Sequence, residues 1–172
     1  MTSCTSRDSA PPLVPVGDAT QLRGVFGCFP SGVTAVCAQS EGLPLGMMVS
    51  SFASVSLDPP LVSICIMETS RTWSLLRGAP RLGVSILAHD HHQLCERFSS
   101  RAEDRFAGLE LTSTPEGAVL LPDASAWLDC SIHNELPAGD HTIVLLRIEA
   151  LHASPATPPL VFHASRYHRL CA

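Results

Sequence analysis

Apolar residues recur along this chain with two periods, and the switches between them mark out its elements. Leu22, Val25, Phe26 and Phe29 fall at i, i+3, i+4 and i+7, one stripe of a helix that Asp18 can cap and that must stop before Pro30 and Gly32. The pattern then becomes strand-like. Val33 to Cys37 and Leu45 to Ser51 flank the turn Glu41-Gly42-Leu43-Pro44 and predict a hairpin, and Leu61 to Met67 predicts a third strand after Asp58-Pro59-Pro60. Ser70 to Arg77 predicts a short helix with Ser70 as N-cap and Gly78 and Pro80 as stop signals. Arg81 to Ala88 is a buried strand, and Asp90 opens a second helix through about Ser99, with Leu94 and Phe98 at i, i+4. Ala126 to Asn134 and His141 to Leu151 are long strands, and Pro159 to Phe162 adds an edge strand.

A few short helices beside six or seven strands, several joined by turns too short for a helical crossover, predict a mainly β fold, a mostly antiparallel barrel. No G-x-G-x-x-G, P-loop, H-E-x-x-H or G-x-S-x-G occurs. The 172 residues suit one domain, with residues 1–17, polar and proline-rich, expected as a flexible tail before a folded unit over 18–172. Eleven Lys and Arg against sixteen Asp and Glu give a formal charge of −5, which argues against nucleic acid held by phosphate contacts. The seven cysteines are odd in number and form no C-x-x-C pair, and no segment approaches the length of a membrane span or a secretory leader. The expectation is a reduced, cytoplasmic protein without membrane contact.

Four groups of residues could carry chemistry. Ser31, Gly32, Val33 and Thr34, with Met48, Val49, Ser50, Ser51, Ser54 and Ser56, crowd small hydroxyls near glycine at strand ends. There they can donate to a phosphate or to the edge of a polar heterocycle, or simply satisfy their own backbone. Gly139-Asp140-His141-Thr142 sets a histidine beside an aspartate at a strand start, either as a proton shuttle and ring wall or as an ordinary surface residue. His89-Asp90-His91-His92 with Cys95 puts His91 and Cys95 on one helical face, but solvated histidines are the commoner outcome and no metal is expected. Arg71 can reach a phosphate or pair with Glu68, and Asp104-Arg105-Phe106-Ala107-Gly108 adds a further charged loop.

Read together, these segments resemble the flavin reductase-like family, the FMN-binding split β-barrels that serve as reductase components of two-component flavin-dependent monooxygenases. The resemblance runs from about Gln21 to Tyr167. It is carried by Phe26-Gly27-Cys28-Phe29-Pro30-Ser31-Gly32-Val33-Thr34, Gly46-Met47, Ser51 to Val62 (SFASVSLDPPLV), Ser70-Arg71-Thr72, Asp104 to Gly108, Gly139 to Thr142 and Arg166-Tyr167. It implies a homodimer of split barrels that binds FMN or FAD and uses NADH or NADPH as co-substrate. The Ser31 to Thr34 loop, the Met48 to Ser56 segment, Arg71, Arg81 and Leu82 would contact the flavin, and His141 and Tyr167 would stand where the nicotinamide stacks. The implied reaction is hydride transfer from the nicotinamide to the flavin and release of reduced flavin to a partner monooxygenase. The sequence departs from the family pattern at Met48 and Ser50, which replace Thr and Asn, and at Leu145-Leu146-Arg147, which replaces Leu-Gly-Glu. Those departures keep open an alternative, a repurposed split-barrel enzyme of small-molecule metabolism with weakened or lost reductase activity.

Overall fold

The computed structural model describes residues 12–100 and 105–170. Residues 1–11 of the expected tail, Asp104 of the charged loop, and Cys4 and Cys171 lie outside that description. Residues 12–17 are exposed and form no helix or strand.

Helix α1 (Ala19–Phe26) starts where expected: Asp18 accepts the Gln21 N–H at 2.8 Å, and the Gln21 side chain reaches back to the Gly17 N–H at 2.7 Å. It ends a turn earlier than the apolar spacing suggests. Its stripe does not enter a core either, for Val25, Phe26 and Phe29 are 62%, 67% and 78% exposed. After the short β1 (Ser31–Gly32), β2 (Thr34–Ser40) and β3 (Leu43–Val49) form the predicted hairpin. Its two central residues, Glu41 and Gly42, both have positive φ (52° and 80°), the backbone that closes a tight hairpin with the right twist.

Strands β4 (Ala53–Leu57) and β5 (Pro60–Met67) form a second hairpin, bulged between Ser54 and Ser56. Ala53-Ser54-Val55-Ser56-Leu57 alternates apolar and small polar residues along β4, a strand that the sequence expectation does not include. Helix α2 (Arg71–Leu76) follows with Ser70 capping through Trp73 N–H, then β6 (Leu82–Ile86) and α3 (His92–Ser99). The N-cap of α3 is His91 and not Asp90; the His91 ring accepts the Ala88 N–H at Nδ1 (3.1 Å). After β7 (Thr112–Ser113) and β8 (Val119–Leu120) come the long hairpin β9 (Ala126–Ala138) and β10 (His141–Ala153), and then β11 (Leu160–His163) and β12 (Arg166–Arg169).

Seven strands pair antiparallel in the order β3-β2-β6-β9-β10-β5-β4, and β1, β11 and β12 form a separate three-stranded sheet. The large sheet is buried on both faces along β2, which is why that strand reads as a continuous apolar run rather than an alternation. Val36 and Ala38 point into the barrel interior with Ile64, Leu82, Val84, Val144 and Leu146, and Trp73 and Leu76 of α2 plug one side. Ala35 and Cys37 point outward, under Leu94, Cys95 and Phe98 of α3. The outer layer comes so close that a Cβ on Gly83 would lie 2.1 Å from the Val119 carbonyl oxygen, so only glycine fits there.

The barrel is split. β3 and β4 end the seven-strand order, so among the described residues β3 has no hydrogen-bonded strand on its outer side. Ser51, just beyond β3, holds the gap together: its hydroxyl donates to Cys65 O of β5 (3.0 Å) and accepts the Cys65 N–H (2.8 Å). The site opens at this split.

Candidate functional site

Two hollows lie side by side at the split and share Ser50 and Ser51. The first, a cleft of about 570 Å³, runs between Met47 to Ser51 on one wall and Cys65 to Met67 on the other. Ser70, at the α2 cap, and His141, at the start of β10, complete its rim. It falls within the volume range usual for ligand sites. Among its lining residues only His141 can carry positive charge and none is acidic. Alternate main-chain groups of an edge strand point away from its partner, so the outer side of β3 adds backbone donors and acceptors to these apolar walls.

Met48 lines the cleft and is half-buried, leaving the space open. Ser50 is exposed where the two hollows meet, and its hydroxyl makes no hydrogen bond with the described residues. That combination of flat apolar walls, an unengaged hydroxyl, backbone edge groups and no carboxylate fits a planar heteroaromatic ring with a polar rim, such as an isoalloxazine.

His141 is placed by the β9–β10 turn. Gly139 (φ 70°) and Asp140 make a two-residue connection, and Glu68 N–H donates to Asp140 O (3.1 Å), tying the turn to the end of β5. His141 Nδ1 lies 2.7 Å from Asp140 Oδ1. That hydrogen bond, and behind it the charge of the ring, holds the Asp140 carboxyl below the ordinary carboxylate range. A carboxylate accepts only, so Nδ1 carries the proton, and Nε2 is the nitrogen left for a ligand.

Other residues singled out from sequence are engaged elsewhere. Thr34 is buried and its hydroxyl donates to Val49 O (3.1 Å), pinning the β2–β3 pair. The Ser51 hydroxyl is taken up by Cys65. Leu82 is fully buried inside the barrel, and Arg81 pairs with Asp129 at 3.4 Å; neither lines the two hollows. Arg71 is exposed at the start of α2, and Ser54 and Ser56 sit on the edge strand β4; all three lie outside both linings, as do Gly32 and Val33. Tyr167 packs its ring against Phe162 (5.3 Å between centroids) and reaches Cys95 and Ser99, and burial pushes its hydroxyl up to about 12. Cys95 is fully buried, and among the described residues no group of three or more His, Cys, Asp or Glu is placed to hold a metal.

Sequence reasoning did not assign Cys65, Met67 or Thr69 to a site, because the facing wall is brought there by barrel curvature. The second hollow, of about 480 Å³, was missed as well. It lies between α1 and the β11–β12 turn, with Arg23, Phe26, Phe29, Ser31, Phe162 and His163 around it. Its signal was present in the F-x-x-F spacing of Phe26 and Phe29, which the helical period places on one stripe.

Residues 26–171 match the family model described as a flavin reductase like domain. The chain is 36% identical over 150 residues to the reductase subunit HsaB of a flavin-dependent monooxygenase from Rhodococcus jostii, covering 87% of this chain and 77% of that one. It is 36% identical over 156 residues to the actinorhodin polyketide dimerase of Streptomyces coelicolor, covering 90% and 88%. Among solved structures, the NADH:FAD oxidoreductase SgcE6 of Streptomyces globisporus superposes with a TM-score of 0.87 at 35% identity, covering 95% of this chain and 100% of that one. A model match over most of the chain and a barrel split at the same segments that carry the motifs lead to one conclusion: this chain belongs to the flavin reductase-like family.

Proposed function

We propose that this chain is an NAD(P)H:flavin oxidoreductase that reduces FMN or FAD and passes the reduced flavin to a separate monooxygenase. The observation that carries this reading is the cleft at the barrel split, uncharged apart from His141, with the Ser50 hydroxyl unengaged.

When bound, the flavin supplies the hydride-accepting chemistry itself, so the protein needs neither a nucleophile nor a strong acid. The chain's residues hold and orient. Met47, Met48 and Val49 offer an apolar wall, and the outer edge of β3 with Ser50 offers hydrogen bonds to a polar ring edge. His141, its orientation fixed by Asp140, presents Nε2 at the rim, where it positions the nicotinamide by a hydrogen bond. A cleft without ion pairs binds its ligand moderately, which suits a protein that must release its product.

The departures from the family pattern leave the cleft intact. Leu146 is fully buried inside the barrel, away from the cleft, and Met48 forms a wall of it. The alternative of a repurposed enzyme therefore gains no support from their positions. The same reading takes the chain to be a homodimer, supported by the unpaired outer edge of β4 with Val55 and Leu57, 49% and 97% exposed. Light scattering on wild type and Leu57→Asp tests that point.

The test of function is anaerobic mixing of the purified chain with NADH or NADPH and with FMN or FAD. Loss of the visible flavin absorbance at catalytic protein concentration is expected, and its absence in all four combinations refutes the reading.

A further inference from the structure

Sulfur is concentrated at the cleft. Of the four methionines in the chain, the three that the structure describes, Met47, Met48 and Met67, all line it, and Cys65 stands among them. The second hollow beside it holds no sulfur. Elsewhere Cys37, Cys95 and Cys130 are buried, and Cys28 is exposed but lies outside both linings.

The fold sets the four side chains at two depths. Cys65 and Met67 are two residues apart on β5, so they share one face of it, opposite the buried Ile64 and Ile66; Cys65 is exposed and Met67 is 53% exposed. Met67 is also the register partner of His141 across the β5–β10 ladder, which puts its side chain at the rim where His141 positions a nicotinamide in the proposed function. Met47 and Met48 are half-buried on β3, one packed on the barrel interior and the other on the outer layer. Because β3 ends the seven-strand order, both still reach the cleft.

A thioether or thiol beside a reduced flavin meets an oxidant made on the spot. Reduced flavin that no acceptor collects gives two electrons and two protons to dioxygen, which regenerates oxidised flavin and forms hydrogen peroxide. Peroxide passes one oxygen to a methionine sulfur, leaving the sulfoxide and water, or to a cysteine sulfur, leaving the sulfenic acid and water. Either product makes an apolar wall polar. Resting on the flavin-reductase reading, we infer that Met67, Cys65, Met47 and Met48 form an oxidation site through which the enzyme limits its own turnover when reduced flavin is not taken up. Met67 and Cys65 are oxidised first and the half-buried pair later, and the altered walls hold flavin less well. A methionine sulfoxide reductase and a small thiol restore them.

The test uses the intact chain and reads oxidation by peptide mass spectrometry, with a sulfenic-acid trap for the cysteines. The chain is exposed to the nicotinamide and flavin pair that it turns over, in air and without dioxygen; to electrochemically reduced FMN or FAD in air; and to added hydrogen peroxide alone, at the amount that turnover releases. In both aerobic flavin arms Met67 and Cys65 are expected to be oxidised ahead of Met47 and Met48, and the ratio of Cys65 to Cys28 oxidation to exceed that given by added peroxide. Catalase in solution spares Cys28 and leaves most of the oxidation at Met67 and Cys65, and the arm without dioxygen shows none. After aerobic turnover KM for flavin rises by about tenfold, the effect of a polar group set against an apolar ring without a partner. The rise is smaller in the double variant Met67→Leu, Cys65→Ser, each protein being compared with its own value before exposure and checked for folding by circular dichroism. The inference is overturned if aerobic flavin oxidises the cleft sulfurs no more, relative to Cys28, than added peroxide does, or if the oxidised wild type keeps its affinity for flavin. Failure of the fresh wild type to reduce any flavin refutes the function, and the electrochemically reduced flavin, with affinity read by direct titration, then decides the oxidation site.

Discussion

Ser51→Ala probes the device that holds the split barrel at a defined width. The hydroxyl makes two hydrogen bonds to one residue across the gap, 2.8 Å from Cys65 N and 3.0 Å to Cys65 O. Removing it leaves a backbone donor and acceptor without their partner, and each such bond contributes about 0.5–1.5 kcal/mol net. Cys65 is exposed, so water replaces part of the loss, and the expected destabilisation is about 1–2 kcal/mol. For a domain of this size that is a fall in Tm of about 2–8 °C. Urea denaturation measures the free energy, and amide hydrogen exchange at Cys65 reports the opening directly. Because Ser51 lines the cleft between β3 and β5, flavin affinity falls along with stability, and Ser51→Thr, which keeps the hydroxyl, retains most of both. A Ser51→Ala protein with wild-type stability and unchanged exchange at Cys65 refutes the reasoning, since the two bonds would then contribute nothing to closing the gap.

Thiol chemistry should follow burial: the pKa of Cys37 and of Cys130 is pushed up to about 12 and that of Cys95 to about 11 by desolvation, while Cys28 and Cys65 are exposed. Among the described cysteines, alkylation of the native protein with peptide mapping is therefore expected to modify Cys28 and Cys65 and spare Cys37, Cys95 and Cys130, with bound flavin protecting Cys65, which lines the cleft, and not Cys28. Burial raises the Asp129 carboxyl above its ordinary 3.8, with Arg81 opposing the shift. The folded state then keeps this proton after the unfolded chain has lost it, so this group's contribution to stability declines as pH rises from the unfolded value through the raised folded one. Denaturation across that range is expected to show a shallower decline for Asp129→Asn, whose loss of the Arg81 pair is a separate offset. Ser165→Gly relieves a side chain held at φ 61° and is expected to stabilise the fold by about 0.5–1 kcal/mol in chemical denaturation; no gain would mean that the turn is unstrained.

Much of the architecture can be read without coordinates, because helices and strands follow from what each residue's near neighbours allow. The long strands β9 and β10, the Glu41-Gly42 turn and the caps at Asp18 and Ser70 follow from local pattern, and all appear in the structure. The motif residues at 46–51 and 139–142 likewise pointed to the cleft, since glycine and small hydroxyls at strand ends mark where a backbone is approached. What those residues do there was not legible. Thr34, Ser50 and Ser51 look alike in the sequence, yet one hydroxyl is bonded to Val49, one to Cys65, and only that of Ser50 is left unengaged. Leu82 and Leu146 drew attention by motif and proved to be barrel interior. The helical period places Phe26 and Phe29 on one stripe but does not say what covers them, and in the structure both stay exposed and line a hollow.

The sequence by itself determined most of the longer elements, the β2–β3 hairpin and the family, because period, turn chemistry and motif are properties of contiguous residues. Which hydroxyl stays free, which apolar stripe stays uncovered, and that a cleft exists at all were decided when β3 and β5 curved toward one another without pairing and the segment just after β3, at Ser51, met Cys65 fourteen residues on. That closure depends on the packing of every strand between them in the sheet, and no local pattern encodes it.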